Sequence, residues 1–170
     1  MPNDKEFKDL PPCLIYIDKE GKWYHEGAEI IRPDFIKFFL EHMELDKKGR
    51  YIVNWNGQRC YVEVEYVEVE DTAFVVRQVN FMAENGALER AVIHLNDGTK
   101  ENLVPETLFV GNQEVLYCRV KDGKFPARFL RPAYYQLTQK IVEEEGKFYL
   151  VLGDRKYPIE TQMERPGATS

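Results

Sequence analysis

Two spacings of apolar residues take turns along this chain. Leu14, Ile15, Tyr16 and Ile17 form an apolar run, Lys19-Glu20-Gly21-Lys22 turns it, and Trp23-Tyr24-His25 returns. That pattern predicts a β-hairpin. Glu26-Gly27 interrupts before a short apolar stretch at residues 28–31. Pro33 then opens a helix, in the first turn, where its missing N–H costs nothing. Ile36, Phe39, Leu40 and Met43 recur at spacings of three and four, which is one apolar face of a helix. Asp34 complements the helix dipole, and Lys47-Lys48-Gly49 predicts the helix end. A run at residues 51–55, the turn Asn56-Gly57 and a run at 59–70 predict a second hairpin. In the last run valines alternate with Glu63, Glu65, Glu68 and Glu70, and a phase slip at Tyr66-Val67 predicts a bulge.

Much of this pattern occurs twice. Gly21-Lys22-Trp23 matches Gly123-Lys124-Phe125, Arg32-Pro33 matches Arg131-Pro132, and Gly49-Arg50-Tyr51 matches Gly146-Lys147-Phe148. Tyr61 falls near Tyr157, with the register drifting by a few residues. In the second copy Tyr134, Leu137, Thr138, Ile141 and Val142 predict the buried face of a helix. That helix would end at Glu143-Glu144-Glu145, the wrong sign for its dipole. The expected class is α+β, a mainly antiparallel fold built by internal duplication of a β-hairpin–helix–β-hairpin unit. The expected organisation is a loose arm at 1–10, an N-terminal repeat at 11–72, a bridging β-meander at 73–114, a C-terminal repeat at 115–162 and a frayed tail at 163–170.

Composition narrows the function classes. The 170 residues are 44% hydrophobic and 13% aromatic, enough for a core, and 31% charged. The net charge is -6, without long runs of one sign, which argues against polymeric nucleic acid or an anionic membrane as partner. No stretch approaches the roughly 20 apolar residues of a membrane helix. The N-terminal residues lack the apolar core of a signal peptide, so a cytoplasmic location is expected. Cys13, Cys60 and Cys118 are odd in number, far apart and set among apolar neighbours, without CxxC spacing. Buried, reduced thiols are expected.

The run from Gly21 to Phe39, the run Val69-Glu70-Asp71-Thr72-Ala73-Phe74 after Tyr51-Ile52-Val53, and residues 127–137 resemble the bacterial domain-of-unknown-function family 1285. The likeness spans roughly residues 11–160. It implies a duplicated core and a C-terminal half like a pleckstrin-homology fold. It also implies a ligand pocket at the interface of the halves, for a nucleotide-like molecule in signalling.

Read from the residues themselves, Arg32 and Arg131 are the leading site candidates. Each stands beside the proline at a helix start, where unpaired N–H groups and partial positive charge favour an anion, and arginine adds a planar five-donor fork. The competing structural reading pairs each with a local carboxylate, such as Glu29 for Arg32. Arg128, Arg119 and Lys124 add positive charge near the second copy, and Tyr135 offers a ring for stacking. His25, His42 and His94 lack metal-ligand spacing. No GxSxG, GxGxxG or GxxxxGK[ST] motif marks a catalyst or a cofactor. The expectation is a non-catalytic, cofactor-free ligand-binding or regulatory module. It would take an anionic, phosphate-bearing or nucleotide-like molecule through Arg32, Arg131, Arg128 and Tyr135. The alternative is a protein-interaction domain with purely structural arginines. Ligand identity, protein partner and oligomeric state stay open.

Overall fold

A computed structural model describes residues 10–65, 72–111 and 114–161. The class is α+β, mostly sheet, with two helices. The chain forms two compact units, 1–65 and 66–170.

The first unit is a six-stranded sheet with one helix. Strands β1 (Pro12–Ile17) and β2 (Trp23–His25) form the first hairpin, and β3 (Ala28–Glu29) adds an edge. Helix α1 (Pro33–Glu41) follows, then β4 (Met43–Leu45), β5 (Tyr51–Trp55) and β6 (Gln58–Val64) as an antiparallel meander. The order is β3-β2-β1-β6-β5-β4, so hairpin and meander join through a parallel β1–β6 pair. The core centres on the fully buried Trp23, Ile17 and Ile52. Ile36 and Leu40 of α1 are buried, and Phe39 stacks on Trp23 with ring centroids 6.1 Å apart.

The helix stops before the expected point. Met43, counted on its apolar face, lies instead on β4, where it pairs with Val53. The cause lies in the next five residues. Asp46 accepts hydrogen bonds from the N–H groups of Lys48 (2.9 Å) and Arg50 (2.8 Å), and Gly49 takes a positive φ of 78°. Asp18 does the same for Glu20 and Lys22 in the β1–β2 turn, both at 2.9 Å. Asp18-Lys19-Glu20-Gly21-Lys22 and Asp46-Lys47-Lys48-Gly49-Arg50 are thus one kind of turn used twice, an aspartate holding the backbone two and four residues on. The bulge expected at Tyr66-Val67 lies outside the described residues. A register shift falls instead in β1, between Pro12 and Tyr16.

The second unit opens with the meander β7 (Phe74–Ala83), β8 (Glu89–Leu95) and β9 (Lys100–Asn102). A 3-10 turn (Pro105–Thr107), β10 (Phe109–Val110) and the hairpin β11 (Leu116–Val120) and β12 (Phe125–Phe129) follow. Then come helix α2 (Arg131–Thr138), the strands β13 (Ile141–Glu144), β14 (Lys147–Leu152) and β15 (Arg155–Pro158), and the edge strand β16 (Glu160–Thr161). Seven strands run β16-β10-β11-β12-β7-β8-β9, with β12 parallel to β7, while β13-β14-β15 is a separate sheet. The two larger sheets are therefore mixed, most pairs are antiparallel, and the third sheet is antiparallel throughout.

Helix α2 buries Ala133 and Leu137 and packs against β7. Past Val76, β7 loses its β12 neighbour, because the chain turns into α2. Gln136 Oε1 then accepts the Val79 N–H at 2.7 Å, satisfying a backbone donor the sheet leaves open. Here too the helix is shorter than expected. Ile141 to Glu144 form a strand, not a helix end. The acidic run is thus not set against a helix dipole, and Glu144 meets Lys156 across the sheet in an ion pair.

The order hairpin, helix, three-stranded meander occurs in both units. The pairing differs. The first meander joins its hairpin in one sheet, whereas the second stands apart and β7–β8–β9 lies beside the hairpin.

Gly153 has no room for a side chain. Its φ is 63°, and a Cβ there would lie 1.8 Å from the Ala87 carbonyl oxygen, which also accepts the Asp154 N–H at 3.0 Å. Gly153→Ala must push the β14–β15 turn off Ala87. A loss of about 3 kcal/mol or more is expected. Gly146, with a φ of 79°, has open space around the same atom. Gly146→Ala should cost only about 1 kcal/mol. Urea titrations of the two variants, followed by circular dichroism, check the difference.

Candidate functional site

The two arginines meet different surroundings. Arg32 is the N-cap of α1 and makes no capping bond. Its Nε and one terminal nitrogen donate to the two Asp34 carboxylate oxygens at 3.2 and 2.7 Å, and the guanidinium lies 4.4 Å from the Phe35 ring centroid. The hydrogen bond from Arg32 holds the Asp34 carboxyl below its usual range. The helix start therefore already has its anion, and the partner is Asp34 rather than Glu29.

Arg131 is the first residue of α2, one position further into its helix than Arg32. It is exposed, and α2 has no acidic residue in its first turn. Among the described residues, no hydrogen bond or ion pair engages its side chain. Tyr135 follows one turn later, 59% exposed, its ring edge-on to Tyr134 with centroids 5.7 Å apart. Positions four apart share a helix face, so Arg131 and Tyr135 are neighbours on the exposed side of α2. Arg128, by contrast, is buried in β12 and engaged by its surroundings. Arg119 donates to the Gly123 carbonyl at 3.2 Å and braces its own hairpin turn. The structure thus brings together Arg131 and Tyr135, places Arg128 inside the sheet, and places Arg32 in the other unit.

A polar cluster went unread in the sequence. Asp97 is buried and accepts hydrogen bonds from Lys121 Nζ at 2.7 Å and from the Thr99 N–H at 2.9 Å. Lys121 Nζ also donates to Thr99 Oγ1 at 2.8 Å, and the Lys121 N–H points at the Glu101 carboxylate. Burial works against the Asp97 charge, but the bonds from Lys121 and Thr99 outweigh it and lower the pKa. Burial raises that of Glu101. A cleft of about 590 Å³ opens beside this cluster, between Glu101, Val104, Arg119 and Lys121. Asn96-Asp97-Gly98 reads as a plain turn, because nothing local shows that the β11–β12 turn will bring Lys121 to it. Asn96 makes a second latch. Its side chain accepts the Val75 N–H at 3.1 Å and donates to the Ala73 carbonyl at 2.9 Å.

No family model matches the chain, and no curated protein sequence does. Two solved structures resemble it. A DUF1285 family protein from Silicibacter pomeroyi superposes with a TM-score of 0.68 at 18% identity, over 92% of this chain and 86% of that one. One from Shewanella baltica gives 0.57 at 17%, over 74% and 91%. The chain has the DUF1285 fold. The resemblance to family 1285 in the sequence is thereby supported at the level of structure. No described helix is long and apolar enough to cross a membrane.

Within this DUF1285 fold the cysteines depart from expectation. Cys13 and Cys60 form a disulfide, with Cα atoms 5.0 Å apart. The parallel β1–β6 pairing, which sets Pro12 against Tyr61, is what brings them together from 47 residues apart. Local spacing carries no trace of that. Cys118 is a buried free thiol, and burial raises its pKa far above the ordinary value. With two of the three cysteines paired, the odd count no longer argues for a reducing compartment.

Two outcomes follow from these contacts. Denatured without reductant, the protein should expose one reactive thiol, and with reductant three, as counted by alkylation and mass. Reduction should also weaken the first unit, by up to about 4 kcal/mol on a loop-closure estimate. Both tryptophans, Trp23 and Trp55, lie in that unit and report it by fluorescence. The Asp97 pair predicts a pH effect. Its folded carboxyl titrates below the unfolded one, so its contribution is complete above about pH 4 and is lost as the pH falls through the lower folded value. Asp97→Asn should destabilise the second unit by about 1–3 kcal/mol at neutral pH and flatten the acid side of its stability curve. Denaturation midpoints across the acid range check the sign.

Proposed function

We propose that the protein is a non-catalytic binding module whose second unit takes an anionic, phosphate-bearing or nucleotide-like small molecule at the start of α2. Arg131 supplies charge-assisted hydrogen bonds and Tyr135 a stacking face. The observation that carries this reading is the contrast between the two arginines. Arg32 is closed on Asp34, while Arg131 stands unengaged among the described residues beside an exposed tyrosine. The two hairpin–helix–meander segments are then diverged copies, one of which has filled its anion position with its own carboxylate.

A ligand at about 100 times its dissociation constant adds roughly 2.7 kcal/mol of stability. A thermal-shift screen of nucleotides and sugar phosphates at low salt should therefore give a clear rise in Tm. Arg131→Ala should lose the rise while folding normally, and Arg32→Ala should keep it. No rise with any phosphate compound would overturn the reading. A protein partner for the first unit is favoured by a separate observation, the exposure of Ile31, Phe35 and Trp55. That role predicts a complex that survives Arg131→Ala.

A further inference from the structure

The register shift in β1 makes a cleft. Between Pro12 and Tyr16 the strand leaves its ladder with β6, and Leu14 takes a φ of 62° with half its surface exposed. A positive φ is uncommon and costly for a bulky apolar residue. The Leu14 carbonyl is held by the Glu26 N–H at 3.1 Å, which ties the bulge to the β2–β3 turn. The Cys13–Cys60 bridge ties it to β6. The resulting space is about 460 Å³, walled by Leu14, Tyr16, Tyr24 and Tyr61. That is a size suited to a small molecule.

The charge around these walls has one sign. Among the described residues, Glu26 and Glu63 line the cleft and no lysine or arginine does. His25 Nδ1 is 4.0 Å from Glu26. Asp18 and Glu65 stand beyond the rim. Burial first, then Glu65, Asp18 and Glu63, raise the pKa of Tyr16, and burial, then Asp18, Glu29 and Glu20, raise that of Tyr24, so the rings sit in a negative field. Neutral tyrosine rings present negative faces to a cation. A hard metal ion finds no cage, because no three His, Cys, Asp or Glu side chains converge among the described residues. An anion is repelled, and a hydrated alkali ion gains nothing from apolar walls. An organic cation with an apolar body satisfies both the rings and the carboxylates.

We propose that the cleft between β1, the β2–β3 turn and β6 binds a small organic ammonium ion, by its tyrosine walls and the carboxylates of Glu26 and Glu63. The site lies in the first unit and does not depend on the anion reading for Arg131.

Choline is the probe, set against the neutral alcohol in which carbon replaces its nitrogen. The two have the same shape and differ in charge. Amide chemical-shift mapping on the full chain should show saturable changes with choline at Leu14, Tyr16, Gly27 and Tyr61, with the neutral alcohol at least about threefold weaker. Glu26→Gln, an exposed turn position that leaves the fold intact, should weaken choline about two- to threefold and leave the alcohol unchanged. Tyr61→Ala should weaken choline further; its folding is checked by circular dichroism. Equal binding of the two probes would overturn the proposal. So would the absence of any saturable shift at these residues up to about 50 mM choline, or an unchanged choline affinity in both variants.

Discussion

Each unit depends on a parallel seam that joins antiparallel pieces, β1–β6 in the first and β12–β7 in the second. In the second unit Ala127, Arg128 and Phe129 of β12 lie against Phe74, Val75 and Val76 of β7. Every residue of β12 is buried, and so are the three β7 residues it meets. Parallel pairs demand that cover, since both sheet faces must be shielded. Helix α2 provides part of it through Ala133 and Leu137. Where the seam ends, the Val79 N–H needs a new partner, and Gln136 reaches back from the helix to accept it. Strand, helix and side chain are thus set by where one ladder stops. In the first unit the β1–β6 seam joins hairpin to meander with one face of β1 left exposed, and a disulfide crosses it.

The polar interior serves the same seams. Asn96 satisfies the backbone at both Ala73 and Val75, just where β7 enters the sheet. Asp97 and Lys121 then fasten the β8–β9 turn to the β11–β12 turn. A partly buried ion pair is weak evidence for net stability, but removing Lys121 would leave the buried Asp97 carboxylate without its counter-ion, which is costly. The cluster therefore works as a fastener whose removal is felt, rather than as a reactive centre. Its donors and acceptors are spent on one another.

Charge is arranged differently in the two units. Arg32 is neutralised by Asp34 and its guanidinium lies over Phe35, so the start of α1 is a closed surface feature. The start of α2 has a basic residue, no acid in its first turn and an exposed ring one turn on. Around β1 the balance reverses, with carboxylates gathered about tyrosines. A chain of net charge -6 thus carries a local basic feature at the start of α2 and a local acidic one around β1.

Local chemistry determined a good part of this protein by itself. Pro33 and Pro132 mark both helices, and Asn56-Gly57 and Gly123 mark hairpin turns that form where the residues require them. The likeness to family 1285 was legible in the order of weak motifs. Apolar spacing alone carries both helices past their ends, although Asp46-Lys47-Lys48-Gly49-Arg50 repeats the turn pattern of Asp18-Lys19-Glu20-Gly21-Lys22. Met43 and Ile141 fit a helix face by spacing, but strand partners elsewhere in the chain claimed them. Only the tertiary structure decided the rest. The parallel seams, the Cys13–Cys60 bridge, the Asp97–Lys121 pair and the closing of Arg32 on Asp34 depend on which segments meet or how a side chain turns. Residue spacing along the chain encodes periodicity and turns. It does not encode which distant partner completes a ladder, a charge or a thiol.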